Sequence, residues 1–96
     1  MLALARALVA KPRVVLVDEP SHGLAPTIAS GLFDLFIRLR DDGLGILVVE
    51  QHAALALRSA DRAYVLEKGR ITHDGSPSPL IKDRKRLADI YLGRST

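Results

Sequence analysis

No cysteine occurs in this chain, so neither a disulfide framework nor a thiolate metal site can be built from it. That suits a reducing cytoplasm. Histidine is scarce: only His22, His52 and His73 occur, and no two have the spacing of paired zinc ligands. Long apolar runs are missing. The stretch from Met1 to Ala10 is rich in Ala and Leu and could be mistaken for a signal peptide, but Arg6 interrupts it and it has no basic leader, which argues against that reading. It is also too short for a bilayer span, which needs about 20 apolar residues. It reads as a buried helix.

Concentrated charge is missing too. The formal net charge is +3, and the basic residues are spread along the chain, a weak pull toward anionic partners. The densest basic group is Lys82, Arg84, Lys85 and Arg86; Asp83 interrupts it and no aromatic residue lies among it. It reads as a solvated helix face, and no nucleic-acid partner is expected. With 48% hydrophobic and 26% charged residues, the composition is that of a soluble globular protein. A length of 96 residues allows one domain at most, with a modest core.

What is present is concentrated in one stretch. Val14-Val15-Leu16-Val17 runs straight into Asp18-Glu19, and Pro20-Ser21-His22-Gly23-Leu24-Ala25-Pro26 follows. The unbroken apolar run predicts a strand over 13–18, buried on both faces as in a parallel sheet. Pro26 fits the first turn of a helix over 26–41, whose apolar face would be Ile28, Leu32, Leu35, Phe36 and Leu39. Ile46-Leu47-Val48-Val49 predicts a second buried strand, over 45–50, with Glu50-Gln51-His52 at its end. Helices are predicted over 1–11, stopped by Pro12, and over 53–59. Lys68-Gly69 between two β-rich runs signals a hairpin over 63–74. Residues 79–92 read as one terminal helix or two short ones. The order implies an α/β domain, and ligands bind at the carboxyl ends of strands in open parallel sheets. Asp18, Glu19 and His52 would sit at that edge.

The chemistry follows from the residue types. Asp18 can serve as a Mg²⁺ carboxylate, directly or through water. Glu19 can polarise a water for attack on phosphorus. An apolar strand can also end in two solvated acids with no function; the turn behind them argues against that. Ser21 to Pro26 has a fixed composition, in which Gly23 permits positive φ and Pro26 launches the next helix. His52 could hydrogen-bond a terminal phosphate or the attacking water, although a lone histidine after a strand is more often structural. His22 and His73 read as a loop and a hairpin histidine.

Taken in order, these residues resemble the ATP-binding-cassette (ABC) ATPases. Val14 to Asp18 looks like the Walker B strand, Glu19 like the catalytic glutamate, Ser21 to Pro26 like the D-loop, and His52 like the switch histidine. Met1 to Leu8 looks like the helix just after the LSGGQ signature. The strings Asp18-Glu19-Pro20-Ser21, Gly23-Leu24-Ala25-Pro26, Val49-Glu50-Gln51-His52, the hairpin from Leu66 to Gly75 and the tail Tyr91-Leu92-Gly93 are most similar to ATP-binding subunits of branched-chain amino acid importers. His22 departs from the apolar residue expected there. No G-x-x-x-x-G-K-[ST] phosphate loop, Q-loop or LSGGQ signature occurs in the 96 residues.

The resemblance therefore implies the C-terminal part of such a subunit: an incomplete P-loop NTPase core of parallel strands with a C-terminal hairpin and helix. It implies ATP and Mg²⁺ as cofactors of the complete subunit, with Glu19 and His52 catalytic, Asp18 on the metal, and Asp18, Ser21, Gly23 and His52 at the nucleotide. It implies a second ATPase subunit met through the D-loop, transmembrane permease partners, and a place on the cytoplasmic face of the membrane. Three other readings stand beside it. One is a non-catalytic module that pairs with an intact subunit. Another is part of a DNA-repair-type ATPase of the same superfamily. The last is a phosphoacceptor domain centred on Asp18, although residues 1–13 supply none of the further acids it would need.

Overall fold

Helices and strands follow one another in the computed structural model in the predicted order. It describes residues 2–91. Contacts divide the chain into two compact units, Met1–Glu50 and Gln51–Thr96, each with its own packed group of side chains where a single modest core was expected.

The first unit runs α1 (Leu2–Val9), β1 (Val14–Asp18), α2 (Pro26–Asp41) and β2 (Gly45–Val49). α1 ends where Lys11 turns left-handed, at φ 52°, and its N–H donates to the Leu8 carbonyl at 3.0 Å; Pro12 then blocks continuation. β1 and β2 pair in parallel, with Val14 opposite Gly45, Leu16 opposite Leu47 and Asp18 opposite Val49. A Cβ added to Gly45 would lie 3.3 Å from both the Arg13 carbonyl oxygen and Val14 Cγ2, which explains glycine at that start.

Two expectations are corrected here. The strands are not buried on both faces. Val15 is buried, and Val17, Ile46 and Val48 are half-buried, while Val14 (60%), Leu16 (73%), Leu47 (53%) and Val49 (57%) are exposed. Side chains alternate across a pleated sheet, and α2 is the one crossover helix between these strands, so one face alone is covered by it. The apolar stripe of α2 is also turned by about one residue. Ala29, Leu32, Phe33 and Phe36 are buried, whereas Ile28 is 59% exposed. Phe33 and Phe36 pack edge to face, with centroids 5.2 Å apart and ring planes at 78°. Two rings offer more apolar area than Ile28 and take the inward positions.

The second unit runs α3 (Ala53–Ser59), β3 (Ala63–Glu67), β4 (Arg70–Gly75), α4 (Ser78–Lys82) and α5 (Arg84–Tyr91). β3 and β4 form the predicted antiparallel hairpin. Lys68 and Gly69 both have positive φ, 49° and 78°, as a two-residue turn of this twist requires. A bulge falls between Val65 and Leu66. Ala53, Leu57, Val65 and Leu80 make the core, with Ala63, Leu87 and Ile90 against it. The terminal segment is two short helices, divided at Asp83, whose carboxylate accepts the Arg86 N–H at 3.0 Å. Lys82, Arg84 and Lys85 are exposed as expected, but Arg86 is not part of a solvated face. Its guanidinium pairs with Glu67 and donates to Thr72 Oγ1 at 3.0 Å. Arg62 pairs with Asp74 at 2.7 Å, and that hydrogen bond holds its guanidinium more firmly in the charged form. Leu92 and Gly93, part of the predicted tail, lie outside the described residues.

Candidate functional site

The site is built where β1 stops. Asp18 is the last ladder residue, level with Val49 and exposed. The chain then turns sharply. Glu19 takes φ 46°, in the left-handed region that non-glycine residues rarely adopt. Its N–H donates to the Val49 carbonyl at 2.6 Å, so the strand end stays tied to β2 as the backbone reverses. Two hydrogen-bonded turns follow. The His22 N–H donates to the Glu19 carbonyl at 3.1 Å, and the Leu24 N–H donates to the Ser21 carbonyl at 3.0 Å. Gly23 supplies φ 75° within the second turn, as anticipated. Pro26 then opens α2, and Ala25 accepts the Ala29 N–H at 2.9 Å.

Sequence reasoning missed Glu50. Both oxygens of its carboxylate are used by Ser21: the backbone N–H donates to Oε2 at 3.1 Å and the hydroxyl donates to Oε1 at 2.8 Å. The signal was in the register. Parallel pairing that sets Asp18 opposite Val49 brings the residue after β2 beside the turn after β1.

Asp18, Glu19, Ser21 and Gly23 are thus gathered with Glu50 at the carboxyl end of the parallel pair. His52 belongs to the second unit. It stands at the N-cap of α3, exposed, with its carbonyl accepting the Ala56 N–H at 3.3 Å. His73 bonds through Nε2 to the Ser76 carbonyl at 2.9 Å, in keeping with a hairpin role. His22 is exposed in its turn; with Asp18 it contributes to a cleft of about 360 Å³ otherwise lined by apolar residues such as Leu4, Val17, Leu32 and Phe36.

Among the described residues no group of three or more His, Cys, Asp or Glu side chains could hold a metal ion alone. One exposed carboxylate at a strand end fits a different case. Mg²⁺ is commonly held by one or two carboxylates plus the phosphates of its nucleotide, with water completing the shell. Asp18 has the chemistry and exposure for that. No helix among the described residues is long and apolar enough to cross a membrane.

No family model matches the chain. Its curated relatives are informative. BraG of Pseudomonas aeruginosa, a high-affinity branched-chain amino acid transport ATP-binding protein, is 48% identical over 93 residues, 97% of this chain and 40% of BraG. LivF of Archaeoglobus fulgidus, a probable branched-chain amino acid transport ATP-binding protein, is 44% identical over 88% of this chain and 36% of its own length. LptB of Escherichia coli, from a lipopolysaccharide export system, is 33% identical over 94% of this chain and 37% of its own length. The chain therefore spans about two-fifths of the relatives it matches. Among solved structures, cbiO1 of Clostridium perfringens, part of an ABC transporter complex, superposes with a TM-score of 0.79 at 25% identity, over 95% of this chain and 37% of that one. The ADP conformation of MJ1267, an ATP-binding cassette of an ABC transporter, gives 0.76 at 29% identity over the same shares. In sequence and in fold, the chain belongs to the ABC ATPases.

Proposed function

We propose that this chain carries the hydrolytic edge of an ABC transporter ATP-binding subunit, one that powers branched-chain amino acid uptake from the cytoplasmic face of the membrane. The observation that carries the reading is the end of β1: two adjacent carboxylates, the second on a left-handed residue, at the carboxyl edge of a parallel pair. The higher identity to BraG and LivF than to LptB supports the solute class.

In this reading Asp18 would hold the Mg²⁺ that accompanies ATP, and the ion would supply charge neutralisation at the phosphate oxygens. Glu19 would orient a water and take its proton as the water attacks the terminal phosphorus, while the bond from that phosphorus to the bridging oxygen breaks and ADP leaves with the electron pair. His52 hydrogen-bonds the terminal phosphate or that water. The turn from Ser21 to Pro26, with Gly23 in it, faces a second ATPase subunit, and permease subunits complete the transporter. The 96 residues alone should not turn over ATP, because the backbone donors of a phosphate loop are not among them and such electrostatic terms dominate catalysis.

The test joins these residues to the upstream segment of a relative such as BraG. Glu19→Gln should still bind ATP, lose hydrolysis and accumulate as an ATP-bound dimer on size-exclusion chromatography. His52→Ala should lose turnover. Asp18→Ala should weaken Mg²⁺-nucleotide binding itself. A Glu19→Gln protein that hydrolyses ATP at the parent's rate would overturn the assignment of the base.

A further inference from the structure

We propose that Glu50 is a positioning residue for Glu19, acting through Ser21. The proposal rests on the reading of Glu19 as the base. The segment Glu19-Pro20-Ser21 is bracketed by two consecutive residues at the end of β2. On one side the Val49 carbonyl accepts the Glu19 N–H at 2.6 Å. On the other the Glu50 carboxylate accepts both donors of Ser21, at 3.1 and 2.8 Å. Pro20, between them, has a ring-fixed φ.

Such bracketing is what the backbone of Glu19 needs. A non-glycine residue at φ 46° persists only where its surroundings over-determine it. Released, it relaxes toward ordinary φ values and carries its carboxylate away from the strand edge. Hydrogen bonds to an ionised acceptor are the stronger kind, and two from one residue fix orientation as well as distance. Glu50 lies on β2's continuation, so the turn is referenced to the same sheet edge that presents Asp18. In this arrangement Glu50 acts through Ser21, which donates to both of its carboxylate oxygens.

Glutamine has the same shape. Its amide oxygen can accept the Ser21 N–H while its NH₂ donates to Ser21 Oγ, the hydroxyl acting as acceptor. Glu50→Gln should therefore recover most of the turn, and Glu50→Ala none of it.

Two measurements test this. The first is amide hydrogen exchange, read by NMR on the 96-residue chain, with the β1–β2 ladder amides as internal reference. Glu50→Ala should speed exchange at Ser21 and Glu19 by about tenfold or more, as loss of bonds to a charged acceptor implies, with the ladder unchanged and Glu50→Gln close to the parent. Unchanged exchange at both amides overturns the proposal. Should Glu50→Ala open the whole ladder, Ser21→Ala, which deletes one hydroxyl, takes its place: faster exchange at Glu19 supports the clamp and unchanged exchange overturns it. The second uses the subunit completed with a relative's upstream segment. Glu50→Ala should lower kcat by about 10- to 100-fold, the scale of a slight misplacement of a catalytic group, with KM for ATP nearly constant and Glu50→Gln recovering most of kcat. An unchanged kcat beside faster exchange overturns the positioning role. A Glu19→Gln subunit with full hydrolysis removes the base assignment instead, and leaves the exchange result standing by itself.

Discussion

Glycine in place of Glu19 should stabilise the first unit while destroying hydrolysis in a completed subunit. An L-residue in the left-handed region costs roughly 1–2 kcal/mol of backbone energy. Glu19 sits there at φ 46°. Glycine removes that cost and adds about 0.4–1 kcal/mol through the greater freedom of the unfolded chain. The side chain is exposed, so little burial is lost, and the N–H that reaches the Val49 carbonyl belongs to the backbone and stays. The net expectation is a gain of about 0.5–1 kcal/mol. With a urea slope near 1 kcal/mol/M, the midpoint should rise by about 0.5–1 M at constant slope. Glu19→Gln keeps shape and φ and should leave the midpoint where it is. Tryptophan is absent, and both tyrosines, Tyr64 and Tyr91, belong to the second unit. The first unit must therefore be followed by exchange of the β1–β2 amides in urea. A Glu19→Gly midpoint below the parent's would refute the strain argument. It would mean that the glutamate side chain contributes more to the turn than its backbone costs.

Phe33→Ala removes a side chain only 1% exposed and packed edge to face with Phe36, and should cost the first unit about 3–5 kcal/mol, seen as lost protection across the β1–β2 ladder. Gly45→Ala forces a Cβ to 3.3 Å from the Arg13 carbonyl oxygen, which is tied to the Gly45 N–H at 2.9 Å, and should cost about 1–3 kcal/mol by the same measurement. Arg86→Ala breaks the bonds to Glu67 and Thr72 and leaves the Glu67 carboxylate, whose side chain is 13% exposed, with the Thr72 hydroxyl but no cation; thermal melting followed at Tyr64 should show a loss of about 1–3 kcal/mol in the second unit.

Local signals were read well from the sequence because their causes are local. Pro26 starts α2, and the Lys68-Gly69 turn sets the hairpin, in the residues expected. The gathering of Asp18, Glu19, Ser21 and Gly23 was legible for the same reason, since they follow one another along a single strand-to-turn segment. Burial was less legible. A valine-rich strand reveals what it could bury and says nothing of what covers it, so Leu16 and Leu47 were expected inside and are largely exposed. The stripe of α2 was misread by one residue because a 3.6-residue period defines a broad face; side-chain volume decides which edge of it turns inward. Glu50 was invisible as a site residue for a third reason. Its partner is 29 residues away, and only the register of two strands joined through a helix brings them together.

The two strand pairings also differ in when they can form. β3 meets β4 across a two-residue turn, and a hairpin of that kind closes in about 1–10 μs. Val14 meets Gly45 only after all of α2 intervenes, so the parallel pair must first meet the entropy of closing a long loop. During synthesis, Val14 and Leu16 are made well before Leu47 and Val49, their partners in the pair. The slow half of the molecule is thus the half that bears the acids, and its unpaired intermediate exposes two short apolar strands with open edges, the segments most exposed to wrong pairing with another chain.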